Sequence, residues 1–151
     1  MTRMVEYKIV PAEFSHIAKL CGSLRYDDLA EITCFGLRPF AAVSRSYKRS
    51  YYRKSALVEG EIAAMWGLAG SLLGTSEYWL LTGAAIERIP VSFVKECKKE
   101  IVTMLSFSPK IEGVVTASYS RAVRLLEILD FSLSPPFDVS GVAVRRFWIE
   151  R

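Results

Sequence analysis

Residues 110–131 read KIEGVVTASYSRAVRLLEILDF and contain the clearest strand and helix pattern in the chain. Residues 111–116 form a short apolar run rich in β-branched side chains, which predicts a buried strand. From Ser120 onward, apolar residues recur at helical spacing and charged residues fall on the opposite side, which predicts an amphipathic helix. Strand, polar junction and helix together predict the second half of a β-α-β unit.

The segments on either side predict further strands and helices. The predicted strands are residues 6–10, 56–58, 62–68, 77–81, 111–116 and 142–149. The predicted helices begin at Pro11, Tyr26, Pro39, Pro90 and Ser120. We expect the second helix to turn Leu29 and Ile32 inward and the third to extend through Tyr51, while Glu59-Gly60 forms a hairpin turn. This order predicts an α/β or α+β fold with helices on both faces of a mixed sheet.

Length and composition predict one soluble domain over residues 1–151. The chain has 151 residues and 51% hydrophobic content, enough for one packed core and too little for two ordinary domains. Its three cysteines are far apart, which excludes a disulfide framework, and the single His16 argues against histidine-assisted catalysis and a metal site. Glycines divide the nearly uncharged residues 62–86 into strand-length pieces, so we expect no membrane span.

Three segments resemble a known family: Trp79-Leu80-Leu81, Ala122-Val123-Arg124 with Leu126, and Phe147-Trp148. Residues 38–151 resemble short phage proteins related to an internal virion protein of podoviruses. That family is similar in fold to the GNAT acetyltransferases. The resemblance implies a GNAT-like acyl-CoA N-acyltransferase fold with a mixed, mostly antiparallel sheet. It also implies a virion-assembly or internal virion role, in the virion or host cytoplasm, with other phage virion proteins as partners.

In GNAT enzymes a glycine-rich turn after the fourth strand presents backbone N–H groups to the pyrophosphate of coenzyme A. The corresponding residues 82–91, TGAAIERIPV, do not match the signature of that turn, since Gly83 is their only glycine. Pro90 removes a donor and Glu87 adds negative charge. If the cofactor binds at all, the resemblance implies that Gly83, Arg88 and Val91 contact it.

The resemblance also implies a general base and a general acid. The base is usually a Glu on the fourth strand, for which Glu77 is the candidate. Leu126 occupies the position of the usual acid, a Tyr, and leucine cannot donate a proton. Tyr119 is the alternative acid, although a tyrosine that packs at a strand end is the commoner case.

A basic segment precedes the predicted hairpin and lacks acidic residues. Its cations are Arg45, Lys48, Arg49, Arg53 and Lys54, interleaved with tyrosines. This pattern is typical of a nucleic-acid surface, and also of a solvated helix face whose tyrosines pack inward. We favour the solvated face and keep DNA as a further possible partner.

These observations favour a catalytically degenerate GNAT-like fold that serves a phage as a virion protein and needs no cofactor. The first alternative is an active N-acetyltransferase that uses acetyl-CoA. It predicts that the strands at 77–81 and 111–116 splay apart in a V with an open cleft between them. The second alternative is a nucleic-acid-binding module. The sequence predicts neither an acyl acceptor nor an oligomeric state.

Overall fold

The computed structural model describes residues 4–70 and 74–151. Its strands are β1 Tyr7–Pro11, β2 Ser50–Val58, β3 Glu61–Gly70, β4 Thr75–Thr82, β5 Lys110–Thr116, β6 Ser132–Leu133, β7 Phe137–Val139 and β8 Val142–Glu150. Its helices are α1 Ser15–Cys21, α2 Tyr26–Cys34, α3 Pro39–Arg49, α4 Pro90–Phe107 and α5 Ser120–Ile128, with a 3-10 turn at Ala84–Arg88. The predicted loop between Gly70 and Gly74 lies partly outside the described residues.

The strands form one mixed sheet in the order β1-β2-β3-β4-β5-β8-β6, and β7 also pairs with β8. Neighbouring strands are antiparallel except β4 and β5, which are parallel. Helix α4 connects that parallel pair, as a crossover between parallel strands requires. The predicted β-α-β unit and the mixed, mostly antiparallel sheet are therefore confirmed.

Helices cover both faces of this sheet. Consecutive apolar residues of β3 point to opposite faces, so both faces carry apolar side chains that must be buried. Met65 packs with Ile17 and Leu20 of α1 and Val43 of α3. Trp66, the next residue, belongs to the core that contains the buried residues of α4 and α5. The amphipathic patterns of these helices thus bury apolar stripes on the sheet, as the sequence predicts.

The structure corrects two predicted helix boundaries and adds two strands. Pro11 ends β1 and does not open a helix, and α1 begins at Ser15. Helix α3 ends at Arg49, so Tyr51 lies on β2. Two short strands, β6 and β7, flank the Pro135-Pro136 connection and were not predicted, because so few residues show no periodicity.

The hairpin between β2 and β3 has the predicted turn. Glu59 and Gly60 have positive φ angles of 48° and 82°. Two consecutive residues of this kind match the twist of the flanking antiparallel strands. Within the part of the chain that the structure describes, no helix combines the length and apolar character needed to cross a membrane.

Candidate active site

A cleft opens where the two parallel strands at the centre of the sheet separate. β4 and β5 pair only from Thr75–Glu77 to Lys110–Glu112 and then diverge. The gap between their carboxyl ends is a cleft of about 360 Å³. The predicted V-shaped splay with an open cleft is confirmed.

The cleft passes through the sheet from one face to the other. Its walls include Tyr78 and Leu80, which point to the face covered by α4 and α5, and Trp79 and Leu81, which point to the opposite face. Residues of α5 line it on one side, and residues of α2 and α3 line it on the other. Two molecules can therefore reach the gap from opposite faces of the sheet.

Helix α2 turns acidic side chains toward this cleft. Asp28 is only 4% exposed, whereas Leu29, predicted to point inward, is 38% exposed. Thr82 donates a hydrogen bond from Oγ1 to Asp28 Oδ2 at 2.6 Å, and Arg25 Nε donates to Thr82 Oγ1 at 2.8 Å. Arg25 also lies 3.7 Å from the Asp28 carboxylate. The buried charge of Asp28 is thus compensated at the end of β4.

Glu31, one turn further along α2, joins the helix to the other splayed strand. Its Oε1 accepts a hydrogen bond from the backbone N–H of Thr116, the last residue of β5, at 3.1 Å. Burial raises the pKa of Glu31, and the nearby Asp28 charge raises it further. Glu31 forms no ion pair with any cation among the described residues. The cleft therefore contains a partly buried carboxylate that lacks a cationic partner.

Sequence reasoning missed both α2 carboxylates. Asp27 and Asp28 fall in the first turn of α2, where acidic residues ordinarily interact with the helix dipole in solvent. Asp28 and Glu31 are spaced so that they share one helix face, and this spacing is the feature of the sequence that could have pointed to them. Only the packing of α2 over the cleft shows that this face is buried.

The two predicted catalytic residues both line the cleft, although their surroundings differ. Glu77 is exposed and lies where β4 and β5 still pair, opposite Glu112. Tyr119 is 8% exposed and lies near the Asp28 carboxylate. Burial, with the neighbouring Asp28 charge, raises the pKa of the Tyr119 hydroxyl. A tyrosine beside a negative charge is a weaker acid, so these surroundings favour a positioning role over proton donation.

The backbone donors at the predicted pyrophosphate turn already have partners. The Gly83 N–H donates to Ala63 O at 2.8 Å, and the Ala84 N–H donates to Ser23 O at 2.8 Å. A Cβ at residue 83 would lie 2.9 Å from Ser23 Oγ. Glycine at this position therefore admits the α1–α2 loop, and that contact accounts for it without a phosphate.

Arg88 and Val91 do not line the cleft. Arg88 forms ion pairs with Glu61 at 2.7 Å and Glu59 at 3.4 Å, on the β2–β3 hairpin. Val91 is exposed in the first turn of α4, which contains no acidic residue. Across the mouth of the cleft, Glu87 lies 3.4 Å from Arg121 of α5. The cofactor contacts predicted for Gly83, Arg88 and Val91 stay predictions.

The predicted basic helix is divided between two elements. Arg45, Lys48 and Arg49 are exposed on α3, but Arg53 and Lys54 lie on β2. Arg53 donates to Tyr47 O at 3.1 Å, and its guanidinium lies 4.0 Å from the centre of the Tyr47 ring. The five cations therefore do not lie on one helix, and DNA binding by them stays a prediction.

The lone histidine and the acidic residues do not form a metal site. His16 is buried, and its Nδ1 accepts the Glu13 N–H at 3.1 Å and lies 2.9 Å from Ser55 Oγ. No group of three or more metal-binding side chains occurs among residues 4–70 and 74–151. His16 has the contacts of a satisfied core residue.

Comparison with solved structures places this architecture among acetyltransferases. No family model matches the chain, and no curated protein matches it. The Vibrio cholerae spermidine N-acetyltransferase, solved with CoA and spermine, superposes with a TM-score of 0.69 at 13% identity, covering 95% of each chain. The Bacillus anthracis GNAT-family acetyltransferase superposes with a TM-score of 0.72 at 9% identity, covering 97% of this chain and 96% of that one. The fold is that of the GNAT N-acetyltransferases.

A third GNAT-like neighbour has its cofactor bound. It is a Salmonella typhimurium protein solved with acetyl-CoA, with a TM-score of 0.66 and 11% identity, covering 96% of this chain and 94% of that one. The prediction of a degenerate phage virion protein is contradicted, because the structures that this chain resembles are N-acetyltransferases.

Proposed function

We propose that this protein is an N-acetyltransferase that uses acetyl-CoA as acetyl donor. The observation that carries the proposal is the cleft through the sheet between β4 and β5. A structural protein gains nothing from a gap of about 360 Å³ at the centre of its sheet, because unfilled space forfeits packing free energy. Catalysis between two substrates requires such a gap, since they must meet in a defined orientation.

The splayed strands offer a binding surface for the arm of the cofactor that carries the acetyl group. Beyond Glu77, β4 has no strand partner on the β5 side, so backbone groups along this edge face the cleft. Amide groups of a bound pantetheine arm can pair with such an edge. Apolar side chains, including Leu125 and Leu126 of α5, supply the neighbouring wall. Acetyl-CoA bound here supplies the acetyl thioester, while the protein orients it and excludes water.

The phosphates require a different arrangement from the usual glycine-rich turn. The Gly83 and Ala84 donors are occupied, so we propose that the first turn of α4 near Val91, together with Arg88, interacts with the phosphates. The first turn of α4 carries the positive end of the helix dipole and no acidic residue. To bind the phosphates, Arg88 must break its ion pairs with Glu59 and Glu61 and pair with phosphate oxygens instead.

The test is calorimetric titration with acetyl-CoA, followed by an assay of free thiol release with a panel of primary amines. Ala122, which lines the cleft on α5, is changed to Phe to fill it, and Ala41, exposed on α3 outside the cleft, is changed to Phe as the matched control. We expect micromolar binding by the wild type and by Ala41→Phe, and loss of binding in Ala122→Phe. No binding by the wild type at millimolar acetyl-CoA would contradict the proposed function.

The phosphate contact of Arg88 is tested separately. Arg88→Glu is expected to weaken acetyl-CoA binding at least about tenfold, or about 1.4 kcal/mol. Lys98→Glu, the same charge change at an exposed position on α4, is the control. Equal affinities for the two variants would exclude Arg88 from the cofactor site.

A further inference from the structure

The strongest unexplained group in the cleft is the Glu31 carboxylate. It lines the cleft from α2, which packs against α3, and α3 covers the sheet face opposite α4 and α5. Its Oε1 accepts the Thr116 N–H, which fixes the carboxylate at the end of β5. Asp28, by contrast, accepts a hydrogen bond from Thr82 and lies near Arg25. Among the acidic residues that line the cleft, Glu31 alone is partly buried, held by a hydrogen bond and without an ion pair to any described residue.

A carboxylate in these surroundings is costly to the fold unless a cation joins it. Burying an ion without an opposite charge disfavours the ionised form. A bound ammonium group removes that cost, since it supplies both the charge and the hydrogen-bond donors. The site is therefore complementary to a protonated amine.

The walls near Glu31 indicate the rest of the acceptor. Ile32, Phe35 and Leu37 line the same side of the cleft. These apolar side chains fit a hydrocarbon body and offer no partner for a second charge. The acceptor class indicated by the side chains is a primary amine on an apolar chain or ring.

We propose that Glu31 binds the ammonium group of such an amine and is the general base of the reaction. This inference rests on the acetyltransferase function proposed above. The Glu31 carboxylate takes one proton from the ammonium, which frees the nitrogen lone pair. The nitrogen bonds to the carbonyl carbon of the acetyl thioester, the C–S bond breaks, and the departing sulfur takes the second proton lost by nitrogen. The products are the N-acetyl amine and a free thiol, and Glu31 returns its proton to water.

Glu77 is the competing base, and its position fits the role less well. It is exposed and lies at the closed end of the V, next to Glu112 on the parallel strand. Thr116 lies four residues beyond Glu112, about 13 Å along the strand at roughly 3.3 Å per residue. Glu31 and Glu77 thus mark opposite ends of the cleft, and substitution of each one separates their roles.

The experiment compares Glu31→Gln with Glu77→Gln, using n-pentylamine as acceptor and n-pentanol as its neutral isostere. We expect Glu31→Gln to lower kcat/KM for pentylamine by about 100-fold or more, as loss of a general base does, and by far more than Glu77→Gln lowers it. Glu127→Gln, at an exposed position on α5 outside the cleft, is the control and should change it less than about threefold. Acetyl-CoA affinity should be the same in all three variants. Wild-type protein without acetyl-CoA should bind pentylamine in preference to pentanol, and Glu31→Gln should lose that preference.

The outcomes separate this inference from the proposed function. If the wild-type protein does not bind acetyl-CoA, the proposed acetyltransferase function is wrong. The comparison of amine and alcohol binding still tests whether Glu31 binds an ammonium group. Full activity in Glu31→Gln, or no preference of the wild type for the amine, overturns the inference alone. Glu31→Asp, which keeps the charge, should retain more activity than Glu31→Gln. Equal loss in both, together with a lowered Tm, would assign Glu31 a structural role and overturn the proposal.

Discussion

At the scale of single residues, the fit between β5 and β8 depends on the absence of a side chain at Gly113. Gly113 is paired in register with Phe147, and a Cβ at residue 113 would overlap the Phe147 ring. Phe147 also packs edge-to-face on Phe131, with ring centres 5.3 Å apart. The aromatic cluster therefore occupies the space that any other residue at 113 would need.

Gly113→Ala is expected to destabilise the protein by about 1–3 kcal/mol, because the Phe147 ring must leave its position. The free energy of unfolding is measured by urea denaturation. Gly22→Ala is the control, since its backbone is helical and an added Cβ would come no closer than 3.6 Å to its neighbours. That control should be unchanged or more stable by up to about 1 kcal/mol. Similar losses in the two variants would show that the Phe147 ring adapts freely.

At the scale of elements, two acidic residues attach α4 to the sheet. Glu96 accepts a hydrogen bond from the Tyr7 hydroxyl at 3.0 Å. Glu100 accepts from the Tyr52 hydroxyl at 2.5 Å and from Trp66 Nε1 at 3.1 Å. These contacts join α4 to β1, β2 and β3. They complement the apolar stripe of α4, which supplies the burial but not the rotational position of the helix.

Glu100→Ala is expected to destabilise the protein by about 1–3 kcal/mol, because it leaves the Tyr52 and Trp66 donors without their acceptor. Lys98→Ala, exposed on the same helix, should change the free energy of unfolding by less than about 0.5 kcal/mol. Both are measured by thermal unfolding. If Glu100→Ala matches the control, water replaces the carboxylate as acceptor, and α4 is held by apolar packing alone.

At the scale of the whole molecule, the acidic cleft makes stability depend on pH. Burial raises the pKa of both Glu31 and Asp28. Each carboxyl therefore favours folding most when it is protonated, and this contribution is lost as the pH rises through the folded-state pKa. Burial lowers the pKa of His16, which acts in the opposite sense, since its contribution is lost as the pH falls below its unfolded value of about 6.5.

The difference in unfolding free energy between Glu31→Gln and the wild type isolates the Glu31 contribution. It should be near zero at about pH 3, where Glu31 is protonated in both states, and should increasingly favour the variant as the pH rises through the ordinary glutamate pKa of 4.5. Urea denaturation across this range measures it. Both proteins share the other titratable groups around the cleft, so the contributions of these groups to the difference in unfolding free energy largely cancel. They are Arg25, Asp28, Glu77, Tyr119 and Arg121. A difference that does not vary with pH would show that the folded state does not shift the Glu31 pKa.

Much of the architecture was predictable from local pattern. The strand at 111–116 and the helices from Pro90 and Ser120 were predicted because apolar residues repeat with the period of each element. The turn at Glu59-Gly60 was predicted because few residues other than glycine adopt positive φ. The prediction for α3 continued too far, since Tyr51 continues the helical spacing although β2 has already begun. Pairing with β3 overrides local preference there.

The sequence by itself determined the order of the longer strands and helices, the buried faces of α4 and α5 and, through resemblance, the GNAT-like fold. Only the tertiary structure decided what the cleft contains. The contacts of Asp28 with Thr82 and of Glu31 with Thr116 join residues 54 and 85 positions apart. Such contacts depend on how α2 packs over two strands that separate, and no local periodicity records this. The occupied donor of Ala84 depends in the same way on the approach of the loop before α2, and that of Gly83 depends on β3.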